Sequence, residues 1–323
     1  MKAIRFAKTG GPEVLALEDV DLRPPRVGEV RVHHTAIGVN FIDTYHRSGL
    51  YPVSLPSGLG LEGAGEVEAV GDGVTNVQRG DRVAYCSGPL GAYAEANNMP
   101  ADRVVKLPSG ISDEIAAAAL LKGITAEYLL KRTYAVQPGQ TILFHAAAGG
   151  VGQIACQWAK HLGATVIGTV GSDEKVVLAK ANGCAHVLST RTDDWAKRTR
   201  EITGGGGVPV AYDGIGKETF MGSLDCLAVR GMLVSFGNAS GAVPAFEPGI
   251  LSAKGSLYLT RPTLFHYTRT AQELQDSAND LFAVIQSGVV KIAINQRFPL
   301  AEAREAHEAL HSRATTGATI LIP

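Results

Sequence analysis

No part of this chain narrows the possible folds as much as the residues from Thr141 to Gly171. They open with an apolar run, Thr141-Ile142-Leu143-Phe144-His145, and bend through Ala146-Ala147-Ala148-Gly149-Gly150-Val151-Gly152. Apolar residues then fall at Val151, Ile154, Ala155, Trp158, Ala159 and Leu162, the spacing of one helix face. Gly163 suits the left-handed residue that ends a helix, and Ala164 to Val170 reads as a second buried strand. The unit is therefore strand, glycine turn, helix, strand.

The glycines have a physical use in that setting. A pyrophosphate reaches the N–H groups at a helix N-terminus only where no side chain blocks it, and Gly149, Gly150 and Gly152 clear the path. Ala147 stands where the usual glycine fingerprint begins, so it is the βαβ context that gives the match its weight. An NAD enzyme places an acid at the end of the second strand, about 20 residues past the glycines. Gly171 occupies that place here, followed by Ser172 and Lys175, a hydroxyl and an ammonium suited to the 2′-phosphate of NADP. Asp173 and Glu174 read as first-turn acids favoured by the helix dipole.

The rest of the chain falls into two patterns. Residues 1 to 110 alternate short strand-like runs with glycine and proline turns, as in a small, mostly antiparallel barrel. Ser112 is a good N-cap for a helix ending near Lys122-Gly123, and a second helix is expected from Thr125 to Lys131. After Thr141, strands and helices alternate, with further strands at 185–188, 208–212, 232–236 and 257–259. These make an α/β fold with a doubly wound, six-stranded parallel sheet the economical solution. Beyond Arg261-Pro262 come a helix at 271–287, the apolar run Ile292-Ala293-Ile294, a helix from Leu300 to Ser312, and a strand from Ala318 to Ile322 expected to return to the first domain. The domain reading is 1–123 with 266–323, and 124–265.

Composition excludes several classes. A net charge of −1 offers no electrostatic footprint for nucleic acid. Residues 133 to 159 lack charge, but Pro138, Gly139, Gln140, His145, Gln153 and Gln157 interrupt them, so no membrane span is expected. No secretory leader is apparent. Cys86, Cys156, Cys184 and Cys226 have neither disulfide-framework nor zinc spacing and read as ordinary thiols, which points to a cytoplasmic setting.

Several segments together resemble the medium-chain dehydrogenase/reductase superfamily, and within it the zinc-free, zeta-crystallin-like NADPH:quinone oxidoreductases. They are Gly10-Gly11-Pro12-Glu13-Val14-Leu15, Asn40-Phe41-Ile42-Asp43-Thr44-Tyr45, Gly80-Asp81-Arg82-Val83, Ala147 to Gly152 and Ser235-Phe236-Gly237-Asn238. Arg47-Ser48-Gly49-Leu50-Tyr51-Pro52 and Ser312-Arg313-Ala314-Thr315 are similar to the bacterial members. The resemblance implies a GroES-like catalytic domain beside the Rossmann domain. Zinc-dependent relatives ligate their catalytic metal with a cysteine where this chain has Asn40, and with a histidine where it has Leu61, a side chain that cannot bind zinc. Without a Lewis acid a simple alkoxide is hard to make, whereas a reduced quinone delocalises its charge.

The resemblance thus implies NADPH-dependent quinone reduction by direct hydride or electron transfer. It puts Asn40, Phe41 and Tyr45 beside the nicotinamide and quinone, with Tyr51 and Thr125 completing the pocket wall. Asn40, Tyr45 and Tyr51 are the candidate catalytic residues, with pocket lining favoured over acid catalysis for the two tyrosines. Gly149, Gly150 and Val151 would contact pyrophosphate, and Ser172, Lys175 and Arg313 the adenosine end. Phe236, Gly237, Asn238, Thr260 and Arg261 would line the nicotinamide half. Relatives carry tyrosine where Thr190 stands and serine where Gly214 stands, so contacts at those two positions are open, with Arg191 a candidate substitute.

Asp43 and Glu62 read as structural partners for arginines rather than as general acids. His307-Glu308-Ala309-Leu310-His311 matches H-E-x-x-H, but the 12 residues after it contain no Asp, Glu or His. Leu300, Ala303, His307 and Leu310 read instead as a packing stripe. The rival functions are a zinc-free alkenal or enone reductase and a nucleotide-sensing RNA-binding protein, the latter disfavoured by the charge. A homodimer is expected through the apolar edge near Ser256 to Leu259, which would otherwise leave strand groups unpaired.

Overall fold

Alternation of buried and exposed residues shapes the first strands, and its interruption marks where the site is built. The computed structural model describes residues 1–312 and 315–323. Their chain contacts divide into a unit of Met1–Lys122, Thr268–Gln286 and Ile292–Pro323, and a unit of Gly123–Tyr267 and Ser287–Lys291.

The first unit begins with β1 (Lys2–Phe6), β2 (Ala16–Asp19) and β3 (Glu29–Val39), followed by α1 (Phe41–Ser48). Strands β4 (Ser57–Gly58), β5 (Glu62–Val70), β6 (Arg82–Tyr85), β7 (Ala96–Pro100) and β8 (Val105–Lys106) follow. β3 buries Val30, Val32 and His34 and exposes His33 and Thr35, then is buried on both sides from Ala36 to Val39. It delivers Asn40 to the start of α1 at that fully buried end.

Helix α2 (Asp113–Tyr128) comes next, and Ser112 caps it as expected, its hydroxyl accepting the Ile115 N–H at 3.2 Å. It is one helix, not two broken at Gly123, and it closes through a π turn at Leu129–Thr133. A helix-interior glycine costs only about 1 kcal/mol. The burial of almost every residue from Ala116 to Leu130 outweighs that cost.

The second unit alternates β9 (Thr141–Phe144), α3 (Gly150–His161), β10 (Thr165–Val170), α4 (Glu174–Ala181), β11 (Cys184–Ser189) and α5 (Trp195–Ile202). It continues with β12 (Val208–Asp213), α6 (Phe220–Asp225), β13 (Leu227–Ser235), α7 (Gly249–Ala253), β14 (Tyr258–Thr260) and α8 (Leu264–Tyr267). The six strands run parallel in the order β11-β10-β9-β12-β13-β14. That is the doubly wound arrangement, with its strand-order switch beside β9. Its core gathers Leu143, Ile167, Leu188, Val208, Leu224 and Leu233.

Helix α9 (Ala271–Gln286), β15 (Ile294–Pro299), α10 (Ala303–His311) and β16 (Ala318–Ile322) complete the chain. β16 pairs antiparallel with β3, Ile320 opposite Gly38, so the tail returns to the first unit's sheet of β15-β16-β3-β5-β6-β8. β15 starts where the apolar run Ile292-Ala293-Ile294 ends, because Ile294, Gln296 and Phe298 form its half-buried face. Residues 287–291 cluster with the second unit, where the Gln157 amide clasps both the N–H and the carbonyl of Lys291. Among the described residues no helix is long and apolar enough to cross a membrane.

Candidate active site

In the second unit the site is made of backbone. Ala146, at the end of β9, takes a left-handed φ of 52°, and the Ala147 N–H bonds the Thr169 carbonyl at 2.9 Å. Gly149 caps α3, placing the amides of Gly150, Val151 and Gly152 in the first turn, where no carbonyl a turn earlier can accept them. A Cβ on Gly152 would stand 2.3 Å from the Ala146 carbonyl oxygen and 2.8 Å from the Ala147 Cα, so only glycine lets the helix start this close to the strand. Gly168 of β10 makes the matching allowance for the Ala147 side chain, 2.7 Å from where its Cβ would be.

Beneath this turn a buried network holds the strand ends. His145 faces the Thr169 hydroxyl at 2.8 Å and the Ser223 hydroxyl at 2.9 Å. Asp213 accepts from Thr219, Ser223 and the backbone of Ile215 and Gly216. Burial pushes the His145 pKa down, so the ring is a neutral link.

Beyond β10, nothing lies within 4 Å of a Cβ built on Gly171. Ser172 and Lys175 flank the start of α4 and are half-buried, while Asp173 and Glu174 are exposed. Thr190 is tied to the end of β10, its N–H and hydroxyl both donating to the Val170 carbonyl, at 2.9 and 3.3 Å. Arg191 next to it is exposed. Open space, a hydroxyl, an ammonium and first-turn amides fit a phosphate-bearing dinucleotide. Arg313 lies outside the described residues.

After β13, Phe236, Gly237 and Asn238 are half-buried, and the Phe236 N–H bonds the Asp213 carbonyl at 2.8 Å. A Cβ on Gly214 would lie 2.9 Å from the Phe236 ring, and one on Gly237 would lie 2.4 Å from the Gly214 oxygen. A serine at 214 therefore requires Phe236 to move. Arg261, just past Thr260, donates to the Ser235 carbonyl at 3.1 Å. Thr125, buried in α2, hydrogen-bonds Tyr128.

In the first unit the site is made of side chains. Asn40 is 4% exposed, donates its side-chain Nδ2 to Glu62 Oε2 at 2.7 Å, and gives its backbone N–H to Asp43 Oδ2 at 2.8 Å. Glu62 in turn accepts the Leu121 N–H at 2.6 Å and the Lys122 ammonium at 3.2 Å. The two carboxylates do not pair with arginines, the partners expected from sequence. Glu62 is matched by Lys122 and Asp43 by the Tyr93 hydroxyl at 2.9 Å, because α2 and the strand-rich layer bring those groups to them first.

Arg47 donates to His307 Nδ1 at 2.9 Å, which leaves Nε2 to carry the ring proton toward Tyr93 at 3.0 Å. Burial, then the Arg47 charge, lower the His307 pKa to about 3, so this histidine is a neutral link in the stripe with Leu300, Ala303 and Leu310. Burial raises the Asp43 carboxyl to about 7. Phe41 is exposed at the first turn of α1, whereas Tyr45 is buried, its ring meeting that of Tyr51 edge to face at 5.2 Å. Glu62, Lys122, Tyr93 and His307 carry this arrangement, and none of them stands in a local motif that announces it.

The donor set does not suit zinc. Leu61 offers no ligand, Asn40 spends an amide hydrogen on Glu62, and the Lys122 ammonium already neutralises that carboxylate. The four cysteines are buried core thiols.

Two families match the chain: "Alcohol dehydrogenase GroES-like domain" over residues 26–109, and "Zinc-binding dehydrogenase" over residues 150–283. The quinone oxidoreductase of Pseudomonas aeruginosa is 57% identical over 323 residues, covering 100% of this chain and 99% of that protein. The crystal structure of Escherichia coli quinone oxidoreductase complexed with NADPH superposes with a TM-score of 0.99 at 52% identity, covering all of both chains. A 2-haloacrylate reductase from a Burkholderia species is 46% identical, over 98% of this chain and 97% of that protein.

Proposed function

The chain belongs to the quinone oxidoreductases of the medium-chain dehydrogenase/reductase superfamily, and on that premise we propose that it reduces quinones with NADPH, without a catalytic metal. The observation that carries this is the joint occurrence of a phosphate-fitting turn at Gly149–Gly152 and a zinc-ligand position filled by an amide locked onto a carboxylate. NADPH supplies the hydride. The first-turn amides of α3 hold the pyrophosphate, Ser172 and Lys175 hold the 2′-phosphate, and Arg313 engages the adenosine end. Phe236, Gly237, Asn238, Thr260, Arg261 and Thr125 shape the place of the nicotinamide.

Asn40 and Phe41 position the ring, and Tyr45 and Tyr51 line the hollow that admits the quinone. The protein's contribution is proximity and exclusion of water. The charge of the reduced quinone monoanion is delocalised, so it can take its proton from solvent on leaving the hollow, and no buried acid is required.

The chain acts in this reading as a cytoplasmic homodimer. Supporting that, β14 is the last strand of its sheet, with Tyr258 on it 58% exposed, and a second copy pairing near Ser256–Leu259 would satisfy its free edge. Light scattering then gives twice the chain mass, and a proline at Leu259 gives monomer. Oxidation of NADPH and NADH with a panel of quinones tests the function. Turnover of quinones with preference for NADPH is the expected result. Turnover confined to an activated alkene such as a 2-haloacrylate would replace it with the enone-reductase reading, which the Burkholderia relative supports at the level of family.

A further inference from the structure

An asparagine amide has two chemically opposite ends, and whatever sets its orientation decides which end it offers. Resting on the quinone-reductase reading, we propose that Glu62 is the positioning residue for Asn40, fixing its amide so that the carbonyl oxygen and one N–H are presented to the ligand. Glu62 is 0% exposed and ionically paired, so its Oε2 acts as acceptor and only the NH2 end of Asn40 can face it.

Glu62 itself has no freedom to turn. The backbone N–H of Leu121 holds Oε1 at 2.6 Å, Lys122 holds Oε2 at 3.2 Å, and Gly38 presses on the carboxylate from β3, where a Cβ would lie 2.2 Å from Oε2. The Asn40 backbone is pinned separately by Asp43. Asp43 thus places Asn40 at the start of α1, in a capping box that the Asn40 side chain also joins, while Glu62 decides which end of the amide turns to the carboxylate.

The substitution Glu62→Gln has a definite chemical consequence. The Leu121 N–H is a fixed donor and claims the only oxygen of the new amide, which turns the glutamine NH2 toward Asn40. Asn40 must then reverse, giving its oxygen to residue 62 and its NH2 to the ligand. Lys122 would also face that NH2, so the paired variant Glu62→Gln/Lys122→Met makes the same reversal without a stranded ammonium and serves if the single variant does not fold.

The test is a double-mutant cycle of Glu62→Gln and Asn40→Ala, read as kcat and KM for NADPH-dependent quinone reduction. It is joined by solvent exchange of the isotopically labelled Asn40 side-chain NH2 in cofactor-free protein. Loss of a hydrogen bond to a charged group costs about 10- to 100-fold, and that loss is expected in kcat with little change in KM. In the Asn40→Ala background the same substitution should cost less than about twofold, since the two residues act as one. Exchange of the Asn40 NH2 should quicken in Glu62→Gln. Losses that simply add, full activity in Glu62→Gln, or unchanged NH2 exchange would overturn the positioning role while leaving quinone reduction intact. A wild-type protein that turns over no quinone would sink the functional reading instead, and the exchange measurement would still decide the role of Glu62.

Discussion

The two units build their candidate sites in opposite ways. The second uses backbone: amides at the start of α3 and glycines whose missing side chains let strand, turn and helix approach to 2.3 Å of where a Cβ would be. The first uses side chains with almost no solvent exposure, a carboxylate-ammonium pair orienting an amide and a chain of Arg47, His307, Tyr93 and Asp43 behind it. A backbone site depends on what is absent, and its tolerance is steric. A side-chain site depends on charges that must all be matched, and its tolerance is electrostatic.

The largest expected difference comes from removing one buried charge. Lys122→Met strips Glu62 of its ion-pair partner, and breaking a buried pair from one side costs about 3–5 kcal/mol. Urea unfolding should show this loss, and adding Glu62→Gln should return part of it. A Lys122→Met protein as stable as wild type would break the electrostatic half of the comparison.

Gly152→Val tests the steric half. The added Cβ meets main-chain atoms of Ala146 and Ala147 that cannot move independently, so a destabilisation of about 1–3 kcal/mol is expected along with loss of NADPH binding by fluorescence titration. Normal NADPH affinity in this variant would contradict the role given to the turn. Lys175→Ala should weaken NADPH by about tenfold, roughly 1.4 kcal/mol, and leave NADH within error. Equal loss for both nucleotides would place Lys175 away from the 2′-phosphate.

A smaller effect separates the units by pH. His34 and His307 are buried with pKa values lowered to about 4 and about 3, so each contributes stability that is present above the unfolded value near 6.5 and is lost as pH falls. Asp43, raised to about 7, has the opposite sign: its contribution is present below the ordinary carboxylate value near 4 and is lost as pH rises through about 7. It therefore offsets one histidine between about pH 4 and 6.5. Asp43→Asn should steepen the rise of stability with pH in that window by about 1 kcal/mol per pH unit, measured as urea midpoints. Parallel profiles would show that Asp43 does not titrate there.

The same contrast explains what could be read from the chain. The glycine turn, its helix and the six parallel strands are local patterns, with Gly149, Gly150 and Gly152 falling within four residues of one another. The break expected at Gly123 was misplaced because a glycine signals a helix end only where burial does not override it. The network around Asn40 has no local signature. Glu62 is 22 residues away and Lys122 is 60 from Glu62, while His307 lies 214 from Tyr93 and 260 from Arg47. Arginine partners for Asp43 and Glu62 were a reasonable expectation from composition, and only the packing of α2 and of the segment before β7 reveals Lys122 and Tyr93 in their place.

The central claim is that quinone reduction by this chain needs no metal, an amide oriented by Glu62 standing at a zinc-ligand position. Its most direct test is the rate of NADPH-dependent quinone reduction by protein exhaustively treated with a strong chelator. The account predicts undiminished turnover that added zinc does not raise. A rate abolished by the chelator and restored by zinc would contradict it.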